Sequence, residues 1–310
     1  MKDRYITEKE TTDLLAFREV TYDDMPLILN YFRMYPSRSC DFSVGGVFIW
    51  TEYFSYMLAE VDDSLVIMGT LPESGVRVFY EPRGRMDFNR YKDLVTQYCR
   101  DNGLRGIILL PEEFIMADNT SEVTYDENYY RDYTEYLYPI DKFITFAGRK
   151  YEKKRNHLNF FVNNYSPFEI EAISSDNIAE LIAFTISFEN SHEESELALY
   201  ECRQVIDVLR DFGLYPFEGI ALRKDGRIIG YTFGELTGDT FHVHAEKGDV
   251  SYRGVYQALA SRMAKAVKDT HPQVSYLNRE DDMGFLSLRR SKLSYRPSLV
   301  INKKVIEINP

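Results

Sequence analysis

The sequence predicts an α+β fold in which one mixed, mostly antiparallel sheet is covered by helices. Apolar residues make up 44% and charged residues 28% of the 310-residue chain, the usual mix for a globular protein. Strand-like alternation and helical spacing follow one another in the second half in the order β-α-α-β-β-β-α-β-α-β. The first half repeats this order loosely, so we expect two similar domains in tandem, at residues 1–140 and 166–310.

Each element of the second half has its own signal. Residues 168–173 alternate as a strand does, and apolar residues recur at helical spacing in 178–188 and again in 202–209. A hairpin follows, because Asp225 and Gly226 form a pair that is typical of tight turns. The rest is predicted as a strand, a helix, a short strand, a helix and a closing strand, at residues 241–248, 252–267, 274–278, 284–293 and 295–302.

The first half shows a similar but weaker pattern. Residues 17–32 parallel residues 168–184, and a hairpin is expected to turn at Asp62 and Asp63. A helix with aromatic and aliphatic residues on one face then precedes a buried strand at residues 106–110. We expect this half to serve as a structural domain, since it lacks an obvious phosphate-binding loop.

A switch in charge marks the boundary between the halves. Residues 112–135 contain eight acids and one Arg, whereas residues 142–155 contain six basic residues and one acid. Aromatic and aliphatic anchors continue through the basic stretch, so we expect one long basic helix at residues 141–165 that connects the two domains.

Composition excludes several classes of protein. The 37 Lys and Arg against 49 Asp and Glu give a net charge of −12, which disfavours general binding to nucleic acid or membranes. The three cysteines are far apart and form no zinc or disulfide spacing, as expected in a reducing cytoplasm. No apolar run is long enough to span a bilayer, and the first residues do not read as a signal peptide. A tandem arrangement can bury the edges of the sheets within one chain, so we expect a monomer.

Several ordered strings place the chain close to a known family. SCDFSVGGVFIW, GRKYEKKRNHLNFF, TFHVHAEK, GVYQALASRMAK and YLNREDDMGFLSLRRSKLSYRP resemble the C-terminal domain of phosphatidylglycerol lysyltransferases, from about Val20 to Val300. The order of elements resembles the GNAT acyltransferase fold. The resemblance implies a tandem of two GNAT-like domains joined by a basic helix, with Fem-type aminoacyltransferases as more distant relatives.

The same resemblance implies a chemistry. Membrane-bound members of the family transfer an amino acid from charged tRNA to a lipid head group, and this chain lacks their transmembrane half. The expected activity is therefore acyl or aminoacyl transfer from charged tRNA, or from an acyl-CoA, to an amine or hydroxyl acceptor. The alternative is a non-catalytic binding module that keeps the GNAT fold without donor binding.

One group of candidate catalytic residues lies on the strand at 241–248. His242 and His244 alternate with Val243, so we expect both histidines and Glu246 on one face, as a polar wall of a cleft or as solvent-facing sheet surface. His244 or Glu246 would accept a proton from the attacking acceptor. No fourth ligand accompanies the three side chains, so no metal site is predicted.

A second group follows the strand at 274–278. Polar residues at a strand's C-terminal end commonly line a ligand crevice. Asn278 could bind the acyl carbonyl, Glu280 or Asp281 a substrate ammonium, and Arg279 the substrate, while Asp282 is expected to cap the next helix. A basic cluster further on would either bind phosphate or pair with these acids; it comprises Arg289, Arg290, Lys292 and Arg296.

The start of the helix at 252–267 is the candidate donor site. A helix N-terminus suits a pyrophosphate, and Arg253 and Gly254 stand there. Ser251 and Tyr256 depart from the (Q/R)-x-x-G-x-(G/A) loop of GNAT proteins, and a Tyr where close backbone approach is needed argues against acyl-CoA.

Four basic residues of the connecting segment are candidate substrate-binding residues: Lys150, Lys153, Lys154 and Arg155. Their spacing is expected to place most of them on one helical side, where they would contact the phosphates of an RNA acceptor stem or form a solvated face. No nucleophile motif or nucleotide-binding loop occurs in the sequence. We therefore expect direct attack of the acceptor on a bound acyl donor.

Overall fold

A computed structural model describes residues 15–116, 130–190 and 196–308. Its strands are β1 (Arg18–Glu19), β2 (Met57–Val61), β3 (Ser64–Thr70), β4 (Arg77–Tyr80), β5 (Arg83–Gly84), β6 (Gly106–Ile115), β7 (Glu135–Pro139), β8 (Glu169–Ala172), β9 (Phe217–Lys224), β10 (Arg227–Thr237), β11 (Thr240–Gly248), β12 (Tyr276–Asn278) and β13 (Leu299–Ile308). Its helices are α1 (Met25–Met34), α2 (Val44–Phe48), α3 (Thr51–Phe54), α4 (Phe88–Asn102), α5 (Ile140–Thr145), α6 (Glu152–Tyr165), α7 (Ile178–Asn190), α8 (Glu196–Arg210), α9 (Val255–Thr270) and α10 (Leu286–Ser294).

One mixed sheet runs through both halves of the chain, in the order β1-β2-β3-β4-β6-β13-β7-β12-β11-β10-β9-β8, with β5 paired to β3. In the first half β1 to β4 pair antiparallel and β4 lies parallel to β6. In the second half β8 to β11 pair antiparallel and β11 lies parallel to β12. The predicted α+β class is confirmed, and the two halves repeat the same order of pairings.

The halves share their central strands. β13, from the C-terminal end of the chain, pairs with β6 of the first half, and β7 of the first half pairs with β12 of the second. β13 and β7 also pair with each other, which closes the sheet in its middle. The two halves are therefore joined by backbone hydrogen bonds rather than held as separate bodies.

Both predicted hairpin turns are confirmed. Asp62 and Asp63 have φ of +49° and +53°, and Asp225 and Gly226 have φ of +49° and +77°. Two consecutive residues with positive φ form the tight turn whose twist matches that of paired strands.

The connecting segment differs from its prediction as one long helix. α5 ends at Thr145, the next residue Phe146 has φ of +51°, and Gly148 follows with φ of +107°. α6 begins only after a short 3₁₀ turn at Arg149–Tyr151. Arg155 Nη1 donates to the carbonyl oxygens of Phe146 at 2.8 Å and Gly148 at 3.0 Å, so the break is stabilised by one of the predicted basic residues.

Helices cover both faces of the second half of the sheet. α7 and α8 pack with Tyr231, Phe233 and Ala245 on one face. α5, α6 and α9 pack on the other face, where Phe143, Phe161 and Leu259 are buried. Among the described helices, none is long and apolar enough to cross a bilayer.

Candidate active site

A cavity of about 510 Å³ opens where β11 and β12 separate. The two strands pair over only three residues each, and the last pair joins His242 to Asn278. β11 continues to Gly248, whereas β12 ends at Asn278 and the chain turns away. The separation leaves a gap beside β11, which is where ligands bind in open sheets of this kind.

The first half of the chain forms one wall of this cavity. Cys40 and Asp41 come from the 3₁₀ turn at Cys40–Phe42, and Gly46 from α2. Aromatic rings complete the wall: Trp50, Phe54, Tyr56, Tyr80 and Tyr133. The first half, expected to serve as a structural domain, thus contributes side chains to the same cavity as β11.

His244 is held between two carboxylates at the cavity wall. Its Nδ1 lies 2.8 Å from Glu280 Oε1, and its Nε2 lies 2.9 Å from Glu235 Oε1. The imidazole is fully buried. Burial by itself lowers the pKa of a histidine, but the hydrogen bonds to Glu235 and Glu280 outweigh it and raise the pKa of His244 to about 9. A histidine with a pKa raised in this direction can carry both ring protons at neutral pH and donate to both carboxylates.

Glu235 was not predicted from the sequence as a site residue. It lies on β10, is buried, and accepts the backbone N–H of Gly45 at 2.7 Å in addition to His244. A Cβ at Gly45 would lie 2.4 Å from the imidazole of His244, so only glycine fits between α2 and the histidine. A charged residue inside the apolar run GYTFGEL was the signal that could have revealed Glu235.

Glu246 does not share a face with His242, contrary to expectation. Phe233 pairs with Ala245 and Gly234 with Val243, so His244 is an extra residue in β11. Such a bulge reverses the alternation of side chains beyond it. Glu246 therefore turns to the side of Arg279, whose Nη2 donates to Glu246 Oε1 at 2.6 Å. His244 and Glu246 both line the cavity, but from opposite faces of the strand.

The turn after β12 is shaped by Asn278. Its Nδ2 donates to Glu135 Oε2 at 2.5 Å and to the carbonyl oxygen of Arg38 at 2.7 Å. Its Oδ1 accepts the backbone N–H of Glu280 at 2.7 Å, and Glu280 has φ of +58°. Asn278 is fully buried and does not line the described cavity, and its hydrogen bond to the backbone of Glu280 shapes the turn that brings Glu280 to the cavity wall.

Arg279 and Lys154 surround the ring of Tyr295. The guanidinium of Arg279 lies 4.7 Å from the ring centre, and the ammonium of Lys154 lies 3.6 Å from it. Burial lowers the pKa of Lys154 to about 8. Arg279 lines the cavity. Lys154 does not line it and contacts the ring of Tyr295 instead.

Asp282 does not cap α10, which begins at Leu286 after Phe285. Instead its buried carboxylate accepts hydrogen bonds from Arg289 Nε at 3.0 Å and from the hydroxyl of Tyr136 at 2.5 Å. Lys292 Nζ donates to the carbonyl oxygens of Arg279 and Asp281. Of the basic cluster, Arg289 therefore pairs with an acid, as one of the two alternatives expected, whereas Lys292 binds backbone carbonyl groups of the same segment.

Asp281 places a protonatable carboxyl group in the cavity. Burial, with a contribution from neighbouring Glu280, raises the pKa of Asp281 to about 8. Burial also lowers the pKa of Lys292, which lines the same part of the cavity.

A buried lysine on β13, Lys303, connects β7 with the 3₁₀ turn at Cys40–Phe42. Cys40, Asp41 and Glu135 converge within 4.8 Å of one another, a spacing that could hold a cation. The ammonium of Lys303 fills that role, since it donates to Ser39 Oγ at 2.6 Å and contacts the carboxylates of Asp41 and Glu135. Burial opposes the charge, yet the two carboxylates raise the pKa of Lys303 above its ordinary value.

The family follows from the sequence as a whole. The pattern of the family described as phosphatidylglycerol lysyltransferase, C-terminal, matches residues 32–304. The chain belongs to this family. A protein of Mycoplasmoides gallisepticum, MYCGA3080, is 32% identical over 181 residues, and the match spans 56% of each chain.

Solved structures support the fold of this lysyltransferase-family chain. A conserved protein of unknown function from Bacteroides thetaiotaomicron is 26% identical, covers 96% of this chain and all of its own, and has a TM-score of 0.80. The C-terminal domain of a putative lysylphosphatidylglycerol synthetase from Agrobacterium fabrum is 13% identical, with 93% and 92% covered and a TM-score of 0.61. L-PGS from Bacillus licheniformis is 12% identical, with 92% of each chain covered and a TM-score of 0.60.

The predicted donor loop of this family member is covered by α6. Gly254 has φ of +94°, and a Cβ there would lie 2.3 Å from the carbonyl oxygen of His157. The guanidinium of Arg253 lies 4.6 Å from the ring centre of Phe160, and Tyr256 packs against the core beneath α9. The described cavity includes none of Arg253, Gly254 and Tyr256.

The basic residues of the connecting segment do not share one face. Lys150 and Lys153 are exposed, while Lys154 points to Tyr295 and Arg155 binds the carbonyl groups at the end of α5. The break after Phe146 and the start of α6 only at Glu152 explain the difference from the prediction.

Proposed function

We propose that the chain is an aminoacyltransferase that moves an aminoacyl group from charged tRNA to an amine or hydroxyl acceptor. The observation that carries this proposal is the cavity between β11 and the turn after β12, with Glu280 hydrogen-bonded to His244 at its wall. Membership of the phosphatidylglycerol lysyltransferase family supports the same class of reaction.

The chemistry needs positioning and one proton acceptor. The acceptor's nitrogen or oxygen attacks the ester carbonyl of the aminoacyl group, and the Glu280 carboxylate takes its proton. The aromatic wall formed by Trp50, Tyr56 and Tyr133 suits the ammonium group of the amino acid through cation–π contact, and the carbonyl oxygen of the Asp281 carboxyl group can accept a hydrogen bond from it. His244, already protonated, does not serve as the base.

Charged tRNA is favoured over acyl-CoA as the donor. A pyrophosphate bound at the start of α9 would need the space that the backbone of His157 occupies beside Gly254. Lys150 and Lys153 offer two exposed cations for RNA phosphates, despite the net charge of the chain. The cytoplasm, where charged tRNA is available, is the location that this function requires.

We also propose that the chain arose as two GNAT-like domains, at residues 1–140 and 166–310, that exchanged their last strands. The matching pairings in the two halves support this, because β7 occupies beside β12 the place that β13 occupies beside β6.

Transfer of radiolabelled amino acids from mixed charged tRNA to lipid extract, peptide and protein acceptors tests the function. We expect label to leave tRNA and appear in one acceptor class, and Glu280→Gln to abolish transfer in a protein that still folds. Inactivity with every donor and acceptor, together with binding of acetyl-CoA, would contradict the proposal.

The covered start of α9 also favours a second candidate, a binding module without turnover. In that case charged tRNA would raise the melting temperature of the protein, and no acceptor would become labelled. A ligand present at 100 times its Kd stabilises a protein by about 2.7 kcal/mol, which is readily measured.

A further inference from the structure

Glu235 contacts His244 on the side of the imidazole that faces away from the cavity. It lies on β10, is buried, and is absent from the cavity lining, whereas Glu280 on the other side of the ring lines the cavity. Glu235 Oε1 accepts from both His244 Nε2 and the backbone N–H of Gly45, so its position is set by two separate parts of the chain.

We propose that Glu235 is a positioning residue that keeps His244 as an imidazolium, and that this imidazolium fixes the Glu280 carboxylate in the orientation needed to accept the acceptor's proton. The part about Glu280 rests on the proposed function. The part about the charge state of His244 does not, and it can be measured without a substrate.

When both carboxylates are ionised, the geometry requires the charged form of His244. A neutral imidazole has one N–H and one lone pair, so one of its nitrogens would face a carboxylate oxygen with no hydrogen between them. Only the imidazolium donates at both 2.8 Å and 2.9 Å. In a fully buried ring the charged form is otherwise disfavoured, and the second carboxylate offsets that cost.

The other titratable groups around the ring come from four parts of the chain. His242 stacks on His244 from β11, with ring centres 6.4 Å apart, and burial lowers its pKa to about 4. Asp281 lies beside Glu280, Cys40 faces Glu280 from the first half, and Lys292 faces Glu280 from α10. Among the described residues, only Glu235 and Glu280 are hydrogen-bonded to the imidazole.

The transfer step balances with Glu280 as the proton carrier. A bond forms between the acceptor atom and the carbonyl carbon, and the ester bond to the tRNA ribose breaks. The acceptor's proton passes to Glu280 and from there to the leaving ribose oxygen. His244 keeps both of its protons throughout, so its contribution is to hold Glu280 in place.

Nitrogen-15 NMR of the histidine ring tests the charge state directly. In the wild-type protein we expect both ring nitrogens of His244 to carry protons at pH 7.5. Glu235→Gln keeps the shape but removes the charge, so the pKa of His244 should fall by about one to three pH units. The matched control is Glu171→Gln, which removes a carboxylate paired with Arg223 away from the cavity and should leave His244 unchanged.

Kinetics test the positioning role. We expect Glu235→Gln to lower kcat at least tenfold with little change in KM for charged tRNA, and to move the alkaline limb of the pH profile to lower pH. Glu235→Asp, which keeps the charge, should recover part of kcat. A purely structural role would instead lower the melting temperature without moving the pH profile.

The outcomes separate the two proposals. A neutral His244 in the wild-type spectrum at pH 7.5, which needs no variant to fold, would overturn the inference. An unchanged pKa in Glu235→Gln would overturn it as well. An imidazolium in a protein that transfers nothing would leave the charge state established and contradict only the proposed function.

Discussion

The ammonium of Lys303 on β13 contacts the carboxylate of Glu135 on β7, and both side chains are fully buried. The pair lies in the middle of the sheet, where β7 of the first half meets β13 of the second half. Asp41 from the cavity wall contacts the same ammonium. The cluster thereby ties the cavity wall contributed by the first half to the two strands that join the halves.

Lys303→Met should therefore destabilise the protein strongly. Removal of one partner from a buried ion pair leaves an uncompensated charge and costs about 3–5 kcal/mol. Chemical denaturation measures the loss in the free energy of unfolding. The control is Lys304→Met, next in sequence, whose pair with Glu112 is half-exposed and should contribute no more than about 1 kcal/mol. Equal losses in the two variants would contradict the assignment.

Gly45→Ala should displace the imidazole of His244. The added Cβ would lie 2.4 Å from the ring, so α2 or the histidine must move. We expect a loss of about 1–3 kcal/mol in the free energy of unfolding, and loss of transfer activity. Gly213→Ala is the control, because a Cβ there meets nothing within 4 Å. A fully active, stable Gly45→Ala protein would show that the contact does not matter.

Stability should fall as the pH rises from about 6.5 to 9. The pKa of His244 is raised in the folded state to about 9, so the stabilisation is complete below the unfolded value of about 6.5 and is lost through pH 9. The linkage amounts to a contribution on the order of 3 kcal/mol. The free energy of unfolding of the wild type and of His244→Gln, measured from pH 6 to pH 9.5, checks this prediction.

His242 supplies the opposite control. Its pKa is lowered to about 4, so its contribution is present above pH 6.5 and is lost as the pH falls toward 4. His242→Gln should flatten the acid limb of the stability curve, and His244→Gln the alkaline limb. The reverse pattern would show that the two histidines are wrongly assigned.

Lys150→Glu with Lys153→Glu should weaken binding of charged tRNA. Both side chains are exposed, so we expect the stability to stay within about 0.5 kcal/mol. Each lost phosphate contact should also reduce the slope of log affinity against log salt concentration by about one. Lys265→Glu, on the exposed side of α9, is the control and should leave the affinity unchanged. If the slope of log affinity against log salt concentration were the same in the wild type and the double variant, the two lysines would not be part of the RNA-binding surface.

Much of the fold was open to prediction, because it follows from local patterns. The hairpins at Asp62 and Asp225 and the helix from Val255 arise from neighbouring residues, which is why spacing and turn chemistry identified them. The same reasoning placed Glu280 at the end of a strand beside a separating neighbour, and the structure places it at the cavity.

Contacts between residues far apart in the chain could not be predicted from local sequence patterns. Glu235 and His244 are nine residues apart, but Gly45, which packs against both, is 190 residues from Glu235. No local sequence pattern indicates such a contact. One extra residue in β11 likewise turned Glu246 to the other face, and alternation alone cannot reveal a bulge.

The sequence by itself determined the fold class, the family and most of the strands and helices, since periodicity, turn residues and ordered motifs are local properties of a chain. Only the tertiary structure decided that β7 and β13 would join the halves, that the first half would wall the cavity, and that Glu235 and Glu280 would flank the two ring nitrogens of His244. Those features depend on distances between residues far apart in the chain, and burial gives their charges an effect that exposed groups lack.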